Sequence, residues 1–179
     1  PAAEVKPFGD GYWCHSEDKE WPGFLAQDPF RIYAEKFGPA EAIAMEKNIP
    51  VYQPKTLRTE EFAALLAEID PELIVVVAFG KILPVNVLEY PKYGCINVHG
   101  SLLPEYRGAA PMQRAIIEGK SETGVTTMYM ADGIDTGDML LKTEVEILPN
   151  DNFEDIHDKL GVAGADLLIE TVKGLEAGT

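Results

Sequence analysis

The sequence predicts an α/β domain built on a mainly parallel central sheet. Three observations carry this. Residues 73–78, "LIVVVA", form a continuous β-branched run of the kind found in strands buried on both faces of a parallel sheet. Phe62, Leu65, Leu66 and Ile69 recur at helical spacing, as do Phe153, Ile156, Leu160, Ala163 and Leu167. Between these helices, strand-like and helix-like segments alternate, which is the order of an α/β layout. A chain of 179 residues suits one domain with a sizeable core.

Taken in order, residues 1–38 mix aromatics with Gly, Pro and acids without a period, and read as an irregular N-terminal segment or short surface helices. Residues 40–48, "AEAIAMEKN", are helical by propensity, and "IPVYQP" follows as a short extended piece. Thr59 caps a helix whose first turn holds Glu60 and Glu61, where their charge suits the helix dipole. Pro71 marks its exit. After the strand at 73–78, "PVNVLEY" starts a short helix at Pro84, and "CINVH" is the next strand. "AAPMQRAIIEG" is a helix ended by Gly119. "GVTTMYMA" and "MLLKTEVEI" are strands joined by the turn "DGIDTGD". Asp151 and Glu154 open the last, long helix in the manner of a capping box.

Composition excludes several classes. The formal charge of -15 repels phosphate backbones at long range, and no Lys/Arg run offsets it, so a nucleic-acid partner needs basic elements not seen in this chain. No apolar run has membrane-span length, and the first residues lack a signal-peptide stretch. Cys14 and Cys95 lie far apart, without zinc spacing, as expected of a reducing, cytosolic location. With only His15, His99 and His157, no metal site is expected. There is no G-x-G-x-x-G and no G-x-S-x-G. Gly80-Lys81 lacks the rest of a phosphate-binding loop.

The strongest chemical signal is Asn97 and His99 at the end of an apolar strand. Alternation projects both from one face. An amide stabilises a developing oxyanion and an imidazole moves protons near neutral pH, which equips a site for attack on an acyl carbonyl. On spacing alone, two satisfied polar groups at a strand end remain the competing reading. Asp135 would orient an imidazole, yet Asp132, Asp135 and Asp138 also suit an ordinary turn. In "SLLPEYRG" the leucines anchor a loop, Pro104 is a candidate cis proline, and Gly108 stands before a helix start that can face an anion. Arg107 reads as a partner for one of the chain's many acids. The "AFGKILP" loop is either a plain strand-to-helix turn or a cradle for a flat heterocycle, walled by Phe79, Ile82 and Leu83.

Together, "INVHGSLLPEYRGAAPMQRAIIEGKSETGVTTMYMADGIDTGDMLL" and the flanking "IPVYQPKTL", "PELIVVVAFGKILP" and "LLIETVKGLEAGT" resemble the folate-dependent formyltransferases. The resemblance runs from about Glu41 to Thr179. "RGAAPMQRAI" and "GIDTGDMLL" look like the branch acting on methionyl-tRNA. It implies a Rossmann-like formyltransferase fold, with a catalytic core at 39–179 behind a divergent 1–38, and a triad of Asn97, His99 and Asp135. It further implies that Ser101, Leu102, Leu103 and Pro104 help bind the tetrahydrofolate carrier. Phe79, Gly80, Ile82 and Leu83 would flank the pterin ring on one side, and Asp132, Gly133 and Ile134 on the other.

The activity implied is formyl transfer from 10-formyltetrahydrofolate to the amino group of initiator methionyl-tRNA, without a metal or a membrane, in a bacterial cytoplasm or organellar matrix. Residues 1–38 lack the family's "GTPEFA"-like turn and basic loop, and the family's C-terminal tRNA-binding barrel is expected to be absent. Two alternatives follow: a formyltransferase for an amino sugar nucleotide or other small amine, and an inactive folate-binding fragment.

Overall fold

The computed structural model describes residues 6–8, 12–14, 43–44, 47–80 and 82–178. The chain divides into two compact units, Pro1–Lys55 and Thr56–Thr179. In the first, β1 (Lys6–Phe8) and β2 (Tyr12–Cys14) pair antiparallel, with Phe8 opposite Tyr12. A hairpin thus stands inside the segment that reads as irregular. The Gly-Asp-Gly between its strands is the sequence signal for it. The rest of 1–38 lies outside the described residues. Of the helix expected over 40–48, Ile43 and Ala44 are helical and Lys47 N donates to Ile43 O at 3.0 Å. Residues 49–54 pair with no strand among the described residues.

The second unit starts with α1 (Glu60–Ile69). Thr59 Oγ1 accepts from Phe62 N at 3.2 Å, and Asp70 closes the helix in a left-handed conformation. β3 (Ile74–Val77) is followed by the short α2 (Val85–Leu88), capped at Pro84 as its sequence requires. That crossover lets β4 (Cys95–His99) lie parallel to β3, with Val76 beside Asn97. α3 (Pro111–Ile117) takes proline in its first turn. β5 (Glu122–Tyr129) then runs antiparallel to β4, and β6 (Met139–Glu146) antiparallel to β5. The Rossmann-like α/β class stands. The described sheet, in order β3-β4-β5-β6, begins parallel and is mixed overall, because the turn between β5 and β6 is too short for a crossover.

Long helix α4 (Phe153–Ala177) closes the unit. Its capping box sits one residue later than the sequence suggests: Asn152 Oδ1 accepts from Glu154 N, and Asp155 returns a bond to Asn152 N at 2.9 Å. Asp151 is engaged elsewhere. It accepts from Leu148 N and from the Lys159 ammonium, whose hydrogen bond holds the Asp151 carboxyl below its ordinary range.

Each face of the sheet has its own core. Leu66, Val76, Leu83, Val87 and Cys95 join α1 and α2 to one face of β3 and β4. Val125, Ile156, Leu160 and Leu167 join α4 to the other face, beside Val98, Met112 and Val145. Ile156, Leu160 and Leu167 are buried, each contributing about 1.5–3 kcal/mol.

This arrangement corrects one expectation. β3 is not buried on both faces: Val75 and Val77 are 40% and 59% exposed. They face the side covered by α4, and α4 packs on β5 and β6. The strand buried on both faces is β5, from Thr123 to Met128. Its threonines are less apolar than the run at 73–78, and hydrogen bonds compensate at two of them. Thr127 Oγ1 meets Thr171 Oγ1 at 2.8 Å, and Thr126 Oγ1 donates to Ser101 O at 2.7 Å. Among the described residues, no helix is long and apolar enough to cross a membrane.

Candidate active site

The site forms where β4 ends. Residues paired across antiparallel strands share a face, so Asn97 and His99 lie on one face with Met128 and Thr126 of β5. His99 is 7% exposed and Asn97 is half-buried. Asp135 reaches them from the turn between β5 and β6. Its Oδ2 lies 3.5 Å from His99 Nδ1, and Asn97 Nδ2 donates to its Oδ1 at 3.4 Å. The amide, imidazole and carboxylate therefore meet in one place. Asp135 adopts a left-handed backbone conformation, φ +51, which the turn imposes.

Gly108 N donates to Asp135 Oδ2 at 2.9 Å. The anion that Gly108 faces is thus the protein's own carboxylate. The backbone there has φ +85, which suits glycine alone. His99 Nε2 is 3.0 Å from the carbonyl oxygen of Tyr106. One loop, residues 100–110, touches both His99 and Asp135.

That loop is pinned from below. Ser101 and Leu103 are buried; Ser101 Oγ donates to Glu105 O at 2.7 Å. Leu103 N donates to Thr126 Oγ1 at 3.0 Å, and Lys142 Nζ donates to Leu103 O. The Leu103-Pro104 peptide is cis. The side chains of Ser101 and Leu103 are therefore anchors, while Leu102 is half-buried and Pro104 exposed. Thr126, Lys142 and Tyr106 escape a reading of motifs. The partners of Thr126 and Lys142 lie 23 and 39 residues away, while Tyr106 is only seven from His99 but meets it through its backbone carbonyl, which no side-chain motif shows.

A cleft of about 600 Å³ is lined by Asp132, from the turn that carries Asp135, and by none of the three residues Asn97, His99 and Asp135. Of the residues expected to hold the carrier, Ile82, Leu83 and Asp132 line it. Phe79, Gly80, Gly133, Ile134 and the 101–104 turn are not part of its lining. The start of α1 contributes Arg58, Thr59 and Glu60, which sequence reasoning missed. Arg58 is the one cation among the described residues lining the cleft. Arg107, read as an acid's partner, forms no ion pair among the described residues. Cys95 is buried, with Sγ donating to Val87 O at 3.5 Å, and burial pushes its thiol up to about 11. It is no thiolate nucleophile at neutral pH. Among the described residues, no group of three or more His, Cys, Asp or Glu is gathered to hold a metal.

Gly137 sets the Asp135 turn against β5. A Cβ there would overlap the carbonyl group of Tyr129. Gly137→Ala is expected to cost about 1–3 kcal/mol in urea unfolding, since backbone cannot yield as a side-chain tip does. Unchanged stability would mean that the turn relaxes freely.

A model of the formyl transferase family matches residues 26–172. The chain belongs to the formyl transferase family. Among its relatives within this family, a methionyl-tRNA formyltransferase of Clostridioides difficile (strain 630) is 55% identical over 140 residues, covering 78% of this chain and 45% of the relative. Another, of Desulforamulus reducens, is 57% identical over 138 residues, covering 77% and 44%. The chain thus spans about half the length of the curated relatives it matches. Among solved structures, a phosphoribosylglycinamide formyltransferase from Anaplasma phagocytophilum superposes with TM-score 0.70 at 26% identity, covering 78% of this chain and 68% of that one. A formyltetrahydrofolate deformylase from Pseudomonas syringae shares the fold, with TM-score 0.68 at 22% identity over 78% and 49%. Formyl transferase family membership agrees with the Rossmann-like formyltransferase fold the sequence implies.

Proposed function

We propose that this chain carries the catalytic core for formyl transfer from 10-formyltetrahydrofolate to the amino group of initiator methionyl-tRNA, in a bacterial cytoplasm or organellar matrix. The observation that carries the reading is the meeting of Asn97, His99 and Asp135 within 3.5 Å at the end of β4. The methionyl-tRNA acceptor is supported by the relatives at 55% and 57% identity that bear that name.

The carrier supplies the formyl group, whose carbon accepts the amine and then separates from the carrier nitrogen. Asn97 Nδ2 has two N–H groups. One faces Asp135, and the other is free to donate to the formyl oxygen as negative charge grows on it. His99 takes the proton the attacking amine must lose and returns it to the departing nitrogen. Asp135, accepting from Gly108 N, steadies the imidazole and its positive charge. No covalent nucleophile is required.

The cleft suits the carrier. Ile82 and Leu83 offer apolar contact to a flat heterocycle, and the turn that carries Asp132 also carries Asp135, so carrier and triad are adjacent along the chain. Arg58 matches the carrier's carboxylates. Arg58→Ala is expected to raise the KM for 10-formyltetrahydrofolate by about 10-fold, the loss of one charged hydrogen bond, with kcat kept. An unchanged KM would remove Arg58 from carrier binding.

A second reading, formylation of an amino sugar nucleotide or another small amine, is favoured by one observation. The net charge of -15 opposes tRNA phosphates. Purified protein assayed with 10-formyltetrahydrofolate and each acceptor separates the two. Transfer to methionyl-tRNA is expected; transfer to a sugar amine alone would overturn that choice. Tight binding of a folate analogue with no product from any acceptor would leave an inactive folate-binding fragment.

A further inference from the structure

We propose that Tyr106 is a positioning residue: its backbone carbonyl fixes His99 as the Nε2–H tautomer, Glu118 holds Tyr106 in place, and Nδ1 is thereby left as the atom that handles the proton. The role of that proton rests on the formyl-transfer reading; the tautomer does not.

A carbonyl oxygen only accepts. With Tyr106 O at 3.0 Å, His99 Nε2 must therefore carry the hydrogen. The ring is buried, so water is a poor substitute partner. In the neutral imidazole Nδ1 is then bare, and it faces Asp135 Oδ2 at 3.5 Å. A proton arriving at Nδ1 meets a carboxylate that accepts it as a hydrogen bond. Both neighbours only accept, so each neutral tautomer sets lone pairs together on one side; the choice goes to Nε2–H because Tyr106 O is at hydrogen-bond distance, 3.0 Å, while Asp135 Oδ2 stands off at 3.5 Å.

The carbonyl points there because Tyr106 has φ +58, a conformation rare for an aromatic residue and costing about 1–2 kcal/mol. Something must hold it, and the side chain does. Tyr106 Oη donates to Glu118 Oε2 at 2.5 Å, at the carboxyl end of α3. The Arg114 guanidinium lies 5.1 Å from the Tyr106 ring centre and the Lys120 ammonium 5.7 Å. Lys120 also pairs with Glu105 at 2.9 Å, and Ser101 grips the Glu105 carbonyl. The end of α3 thus reaches the imidazole through one residue.

Imidazole-labelled protein in ¹⁵N NMR, at a pH where the ring is neutral, reads the tautomer directly. Wild type is expected to show Nε2–H. Tyr106→Phe and Glu118→Ala, checked for folding by thermal unfolding, are expected to show mixed tautomers. Under the formyl-transfer assay each should lose about 3- to 10-fold in kcat, the worth of one hydrogen bond, with both KM values kept. The double variant should lose no more than either single one. Nδ1–H in the wild type overturns the proposal, and that measurement needs no variant to fold. Unmixed Nε2–H in both variants, or a rise in KM with kcat unchanged, overturns it as well. Correct tautomers in a protein that transfers no formyl group would sink the functional reading and leave the positioning intact.

Discussion

His99→Ala is expected to lower formyl transfer by at least about 10², the usual contribution of a positioned proton shuttle. The fall should appear in kcat, because in the proposed mechanism the imidazole acts as the amine adds and the carrier nitrogen leaves. Folding should be kept. The ring sits at the end of β4, beside the Tyr106 carbonyl, the Asp135 carboxylate and Gly108 N, and water can enter a gap lined by such groups. Thermal unfolding run alongside the assay separates the two effects. Activity near that of the wild type would remove His99 from the mechanism.

Asn97→Ala is expected to cost about 10²–10³ in kcat, or roughly 3–4 kcal/mol, the scale of losing one oxyanion donor. Little of this should come from Asp135, because the Asn97 contact with it is long, at 3.4 Å, while Gly108 N stays at 2.9 Å. The KM for the acceptor should hardly change. A variant with altered KM and unaltered kcat would place Asn97 in binding. If both side chains serve one transition state, the Asn97→Ala/His99→Ala double variant will lose less than the product of the single losses.

Much of the second unit is legible in the sequence where causes are local. Thr59 caps α1 because its hydroxyl lies three residues from Phe62 N. The apolar face of α4 follows from spacing, and Ile156, Leu160 and Leu167 are buried as that spacing requires. The cap of α4 slipped by one residue because Asp151, Asn152, Glu154 and Asp155 are all competent, and Lys159 decides which acid is free. The doubly buried strand was legible in kind but not in place. An apolar run shows that burial is possible; α4 lies over β5 and β6, so Thr127 is covered on that face and Val77 is not, while the loop at 101–103 covers Thr126 on the other.

For the site, the sequence alone determined that Asn97 and His99 share a face, because side chains alternate on any strand. It did not determine that Asp135 joins them. Resemblance implies that assignment, while spacing alone reads Asp135 as an ordinary turn acid. The sheet decided it. Pairing β5 against β4 brings the turn after β5 out beside Cys95, where β4 begins, and the turn folds back so that Asp135 meets Asn97 and His99. The same pairing set Thr126 and Lys142 together under the Leu103 backbone. Local rules act over about four residues, through caps and periods. Contacts across 20 to 40 residues depend on strand order and register, which no single segment encodes.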